Sequence, residues 1–266
     1  MSQLQVVFDK AAADNRAALV GYLPAGFPTV DGAIEAAKAM ADAGADVIEV
    51  ELAYSDPVMD GPVIQRASEI ALAGGVRTAD VLRSIEAVAS GGTAVILMTY
   101  WNPIERYGVD RFARDFAAAG GAGIVTPDLI PDEAGEWIDA AERHQLDRTF
   151  LVAPSSTDAR IAATTAMCRG FVYATSVMGV TGARAQTSNV APALVERVRA
   201  ASDIPVGVGL GVRDGDQAAA VAGYADAVIV GSALVSCVLD RLDDDAAGRA
   251  ALSRLTAELA QGVRRR

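Results

Sequence analysis

Eight short apolar runs recur along the chain, at residues 18–23, 46–50, 94–99, 122–125, 149–152, 171–174, 205–208 and 227–230. They are continuous rather than alternating, the pattern of parallel strands buried on both faces. Helical stretches lie between them. Residues 33–45 are rich in alanine, with Gly44 near the end as a stop signal. Residues 131–144 open on Pro131, Asp132 and Glu133, which suit a helix N-terminus. Residues 190–201 and 214–222 are similar. Residues 1–15 read as an extra helix ahead of the first strand, and 240–266 as mainly a final helix whose basic tail, Arg264 to Arg266, suits its C-terminal dipole.

Eight β/α units in about 250 residues is the size of a single (β/α)8 TIM barrel. No Gly/Ser/Pro-rich linker divides the chain, so residues 1–266 are expected to form one domain. A doubly wound sheet is the competing architecture. It needs a glycine-rich turn after the first strand, and the Pro-Ala-Gly-Phe-Pro at 24–28 is not a G-x-G-x-x-G.

At 52% hydrophobic, the 266 residues can bury a full core, and a net charge of -11 argues against nucleic acid as a partner. It leaves room for a small phosphorylated ligand held by backbone N–H groups. No apolar run approaches the ~20 residues of a membrane span. The N-terminus lacks the basic and apolar regions of a signal peptide. The two cysteines, Cys168 and Cys237, read as small core residues in helical segments, which with the absence of a disulfide pattern suggests the cytoplasm. The one histidine, His144, sits in a polar stretch expected at a surface helix end. That removes most zinc sites and Ser-His-Asp triads, and no metal site is expected. The chemistry is left to carboxylates, hydroxyls and backbone.

Three glycine clusters fall after late strands: Gly179 with Gly182, Gly209 with Gly211, and Gly231 with Ser232. In barrels the loops after the seventh and eighth strands, with a helix N-terminus, commonly hold phosphate. Each cluster alone reads more readily as a turn; together they point to a phosphate-binding barrel.

Glu49 ends the second run, where barrel active sites form. A buried carboxylate there is costly unless it is used, and burial suits it to general acid–base work. Asp60 lies in the following loop, within Ser55-Asp56-Pro57-Val58-Met59-Asp60-Gly61-Pro62. Tyr173, near the end of the sixth run, reads as substrate contact or core packing. Asp128, after the fourth run, reads as a helix cap or a residue of the active face.

Together these segments resemble the α subunit family of tryptophan synthase over essentially the whole chain. The matching stretches are 44–49, 55–65, Met98-Thr99-Tyr100-Trp101-Asn102-Pro103, Pro127-Asp128-Leu129, Gly179-Val180-Thr181-Gly182-Ala183, Gly209-Leu210-Gly211 and Val230-Gly231-Ser232-Ala233. The resemblance implies a lyase that cleaves indole-3-glycerol phosphate to indole and glyceraldehyde 3-phosphate in tryptophan biosynthesis. It makes Glu49 the acid/base and Asp60 the acceptor for the indole N–H. Tyr22, Tyr100, Asp128, Tyr173 and Thr181 would line or close the substrate site, with Thr181 on a lid. Gly182, Gly209, Gly211, Gly231 and Ser232 would cradle the phosphate. Asp56 and Pro57 would belong to a loop that signals to a β subunit in an α2β2 heterotetramer. Pyridoxal phosphate is expected only in that β subunit, and no cofactor in this chain.

Two positions depart from the family pattern. The family usually has glycine two residues after the catalytic glutamate and proline two further on; this chain has Glu51 and Ala53. Strand alternation places Glu51 on the face of Glu49, where a second carboxylate would raise one pKa and repel a phosphate. One expectation is therefore an intact site with Glu51 turned aside. The others are a weakened site, or an inactive α-type subunit that only activates β.

Overall fold

The computed structural model describes residues 1–175, 190–209 and 211–265. Among these, nine parallel strand segments form one nearly closed sheet: β1 (Ala18–Pro24), β2 (Val47–Glu51), β3 (Ala94–Met98), β4 (Gly123–Val125), β5 (Asp147–Thr149), β6 (Leu151–Val152), β7 (Val172–Thr175), β8 (Val206–Gly209) and β9 (Ala227–Val230). Their order is β5-β4-β3-β2-β1-β9-β8-β7-β6. The helices around it are α1 (Gln3–Ala13), α2 (Val30–Asp42), α3 (Pro62–Ala73), α4 (Thr78–Ala89), α5 (Trp101–Tyr107), α6 (Val109–Ala118), α7 (Gly135–Arg143), α8 (Asp158–Met167), α9 (Val190–Ala201), α10 (Gly215–Ala222), α11 (Ser232–Leu239) and α12 (Asp245–Gly262). This is the expected (β/α)8 barrel with an added N-terminal helix.

The run at 149–152 is not one strand but two segments parted at Phe150. β5 pairs with β4 and β6 pairs with β7, so one stretch of chain serves both edges of the sheet. At the junction, the Tyr173 N–H donates to the Phe150 carbonyl at 3.1 Å. The change of partner at Phe150 brings the two edges together.

Strand alternation sorts the core into two shells. Val20, Val47, Ala94, Ile96, Val125, Phe171, Ala227 and Ile229 pack inside the barrel. Leu19, Ile48, Val50, Val95 and Leu97 face the surrounding helices. α1 closes the lower end. Its Leu4, Phe8 and Ala11 join the inner shell, and the Phe8 ring centroid lies 5.7 Å from that of Phe171. Ser2 caps this helix by accepting from the Gln5 N–H.

Helix ends follow their caps. α2 begins before residue 33 because the Thr29 hydroxyl accepts from the Gly32 N–H at 3.0 Å. The 131–144 stretch opens as a 3-10 turn, Pro131–Glu133, before α7. The last helix starts at Asp245, not 240, because Asp244 caps it through the Ala247 N–H. His144 ends α7 as expected and bonds Asp110 at 3.1 Å. Cys237 lies in α11 and Cys168 just beyond α8; both are half-buried rather than core residues. Among the described residues, no helix is long and apolar enough to cross a membrane, and no cluster is placed to hold a metal ion.

Candidate active site at the barrel mouth

The register of β1, β2 and β3 sets Tyr22 beside Glu49 and Glu49 beside Ile96; one layer higher, Pro24, Glu51 and Met98 align. With Val47 in the inner shell, alternation turns Glu49 and Glu51 inward as well. Glu49 is only 2% exposed. Burial raises its pKa from 4.5 to about 8, so near neutral pH it holds a proton.

Glu51 shares the face of Glu49, as alternation required, yet the carboxylate it meets is that of Asp60. The Ser68 hydroxyl on α3 donates to Glu51 Oε2 at 2.9 Å. Glu51 Oε1 and Asp60 Oδ2 are both buried, the two carboxyl groups lie within bonding reach of each other, and the Tyr22 hydroxyl lies beside Glu51. The Tyr100 hydroxyl donates to Asp60 Oδ1 at 3.0 Å and accepts from the Met59 N–H at 3.0 Å. Burial raises the carboxyl pKa values of both Glu51 and Asp60, and the Asp60 charge adds to the rise at Glu51. At Glu49 the cause of the rise is burial.

Two tyrosines form the walls. Tyr22 is buried, and its hydroxyl pKa is pushed up by burial and by the charges of Glu51, Asp60 and Glu49. Tyr173 on β7 crosses the barrel toward Glu49, whose charge adds to burial in raising its pKa. Glycine makes room for both rings. A Cβ at Gly209 would overlap the Tyr173 hydroxyl, and one at Gly231 would press on the Tyr22 ring at 3.3 Å. Gly211 takes a φ of +66°, open to glycine at little cost.

Gly231 caps α11 without a side-chain hydrogen bond. The first N–H groups of that helix, beginning with Ser232, therefore have no capping side chain. Asp128 does serve as a cap: its carboxylate accepts from the Trp101 N–H at 2.9 Å, at the start of α5. Asp56 is exposed and accepts from the Ser55 hydroxyl at 2.6 Å, with Pro57 half-buried beside it. Thr181 and Gly182 lie outside the described residues.

Ser68 and Tyr54 were not singled out from the sequence. Ser68 lies on the buried face of an ordinary amphipathic helix, so only its contact with Glu51 distinguishes it. Tyr54 stacks on Tyr100, ring centroids 5.3 Å apart, and accepts from the Asn102 amide at 3.0 Å. At the opposite end of the barrel, a groove of about 620 Å³ is bordered by Arg16, Arg169 and Arg199. Each pairs with an aspartate, Asp46, Asp147 and Asp226 respectively, so the groove is not an anion site.

A closed ring of parallel strands, inward carboxylates at the strand ends and a bare helix N-terminus beside them define a barrel enzyme for acid–base chemistry on an anionic substrate. The profile of the family described as "Tryptophan synthase alpha chain" matches residues 8–264. The tryptophan synthase alpha chain of Salinispora arenicola is 67% identical, covering 99% of this chain and 98% of the relative. Mycobacterium tuberculosis tryptophan synthase superposes with a TM-score of 0.93 at 59% identity, covering 99% of this chain and 98% of that one. A tryptophan synthase subunit alpha from Legionella pneumophila still gives 0.87 at 31% identity, over 99% and 98% of the two chains. The chain belongs to the tryptophan synthase alpha chain family.

Proposed function

We propose that Glu49 and Asp60 carry the chemistry of this family in this chain: retro-aldol cleavage of indole-3-glycerol phosphate to indole and glyceraldehyde 3-phosphate, a lyase step of tryptophan biosynthesis. The observation that carries the assignment is a buried Glu49 on the inner face of β2 together with an Asp60, in the loop that follows, fixed by the Tyr100 hydroxyl at 3.0 Å.

The cleavage needs a proton on indole C3 and a base for the hydroxyl of the adjoining glycerol carbon. Protonated Glu49 supplies the first. The ring then carries positive charge, which Asp60 stabilises as it accepts from the indole N–H. Glu49, now the carboxylate, removes the hydroxyl proton. The C–C bond breaks, its electrons return to the ring, and Glu49 ends protonated as it began. Tyr22, Tyr100 and Tyr173 pack around the indole, Asp128 borders the pocket while capping α5, and Thr181 closes it. The phosphate sits on Gly182, Gly209, Gly211, Gly231 and Ser232, where the α11 N-terminus supports the placement.

The partner in this reading is a β subunit that receives indole on its own pyridoxal phosphate, within an α2β2 heterotetramer, and this chain carries no cofactor. Asp56 and Pro57 lie on the loop offered to it, beside Val58, which is 69% exposed. One domain spans residues 1–266, and the cytoplasm is the compartment of such a biosynthetic enzyme.

The weakened-site reading required Glu51 to crowd Glu49; Glu51 instead bonds Ser68 and Asp60. The test is indole release from indole-3-glycerol phosphate by the purified chain, with and without the β subunit. Release that rises with β establishes the coupled lyase. No release in either arm overturns it.

A further inference from the structure

Two buried carboxyl groups in contact cannot both be ionised without severe repulsion. At the barrel mouth these are Glu51, 0% exposed, and Asp60, 2% exposed. Their other oxygens are assigned: Ser68 donates to Glu51 Oε2 and Tyr100 donates to Asp60 Oδ1. That leaves Glu51 Oε1 and Asp60 Oδ2 buried against each other, with the Tyr22 hydroxyl beside Glu51 as the one further group in reach. An oxygen pair of this kind is satisfied by one shared proton.

We propose that Glu51 is a positioning residue for the cleavage, held as the neutral acid and donating its proton from Oε1 to Asp60 Oδ2, so that Asp60 is the single anion of the pair, fixed from both sides toward the substrate ring. The proton belongs on Glu51 for two reasons. Aspartate is intrinsically the stronger acid. Asp60 also receives the Tyr100 O–H, a bond that favours the anion. The ionisable groups facing Glu51 are Asp60 from the β2–α3 loop and Tyr22 from β1, with Tyr100 behind Asp60 and Glu49 one layer below. No cation among them stabilises a second negative charge.

The consequence concerns the indole N–H. If the pair loses its proton, Asp60 loses a donor and gains an anionic neighbour, and two repelling carboxylates no longer hold one orientation. Glu51 thus deepens, and rests on, the role given to Asp60 above. It replaces what a backbone-only residue at this position leaves open with a hydrogen bond that depends on its proton.

The experiment compares the wild-type chain, Glu51→Gln and Glu51→Ala, each with the β subunit, by indole release across pH and by infrared spectra of the protonated carboxyl C=O band. Glutamine keeps an N–H donor that cannot ionise. It is expected to hold kcat within about threefold of wild type at neutral pH. Its alkaline decline should reflect Glu49 alone, one proton rather than two. Alanine removes the donor and is expected to lower kcat by about tenfold or more, with a smaller change in KM. The carboxyl band is expected to lose one component in both variants while keeping that of Glu49. Glutamine falling as far as alanine, alanine matching wild type, or an unchanged carboxyl band each overturns the proposal. Loss of cleavage in the wild-type chain itself would instead overturn the lyase assignment, so the two failures are distinct.

Discussion

The Tyr100 hydroxyl donates to Asp60 Oδ1 at 3.0 Å while it accepts from the Met59 N–H at 3.0 Å, so one side chain after β3 holds both the charge and the backbone of the loop after β2. Fixing a carboxylate from a neighbouring strand end is how a barrel makes a rigid site from a loop.

Tyr100→Phe keeps the ring stacked on Tyr54 and deletes only these two hydrogen bonds. A lost bond to a charged group is worth roughly 1.5–3 kcal/mol. Expressed in the transition state, that is about a tenfold to hundredfold loss of kcat/KM. Steady-state indole release checks the value. A loss under threefold would mean that Asp60 does not need this anchor.

Glu49→Gln removes the proton donor and is expected to lower kcat by roughly 10²–10⁴-fold. It also has a signature in stability. The native pKa, about 8, lies above the unfolded value of 4.5, so between these limits the folded state binds more protons than the unfolded state. Stability from this group is fully present below about 4.5 and is lost as pH rises through about 8. The slope is on the order of 1 kcal/mol per pH unit for one such group. Urea unfolding at several pH values between 5 and 8 should show stability falling with pH in the wild type. The fall should be shallower in the glutamine variant; equal slopes would place the titration elsewhere.

Gly209→Ala tests the wall of the pocket. The new Cβ would overlap the hydroxyl end of Tyr173, a side chain able to swing rather than a fixed backbone. The expected result is a large loss of activity with little loss of stability, because the ring is pushed toward Glu49 and into the space for the indole. A displacement near 1 Å is worth up to about a hundredfold in rate. Kinetics and thermal unfolding on one preparation separate the two effects. A variant that unfolds early but turns over normally contradicts the assignment of Tyr173 to the pocket.

Much of this was legible in the sequence. The eight apolar runs place the strands, since burial on both faces leaves nothing but hydrophobic residues to read, and Ala227–Val230 coincides with β9. The division at Phe150 was not legible, because which neighbour a strand pairs with is decided by barrel closure, not by local composition. Glu49 could be found from position and residue type alone. The partner of Glu51 could not. Alternation puts Glu51 on the face of Glu49, but the nearer carboxylate arrives from a loop nine residues later, and Ser68 arrives from the next helix. Contacts between a strand end and a loop depend on loop conformation, which has no sequence period.

The loop that carries Asp56 and Pro57 is tied to the chemistry by aromatic contact. Tyr54, at its start, stacks on Tyr100 with centroids 5.3 Å apart and rings inclined by 30°, and Tyr100 in turn bonds Asp60. A partner that settles this loop therefore also settles Asp60, and the coupling free energy must act in both directions. Tyr54→Ala removes the stack, a contact worth roughly 0.5–1.5 kcal/mol beyond its buried area. The expected result is that stimulation of cleavage by β falls by about fivefold. By reciprocity of the binding free energies, a substrate analogue should tighten β binding less in the variant, by the same factor as β then tightens binding of the analogue less. Activity titrations with β, and calorimetric titrations with and without the analogue, measure the two sides. Stimulation that survives intact in Tyr54→Ala would show that the signal reaches Asp60 by another route than the Tyr54–Tyr100 stack.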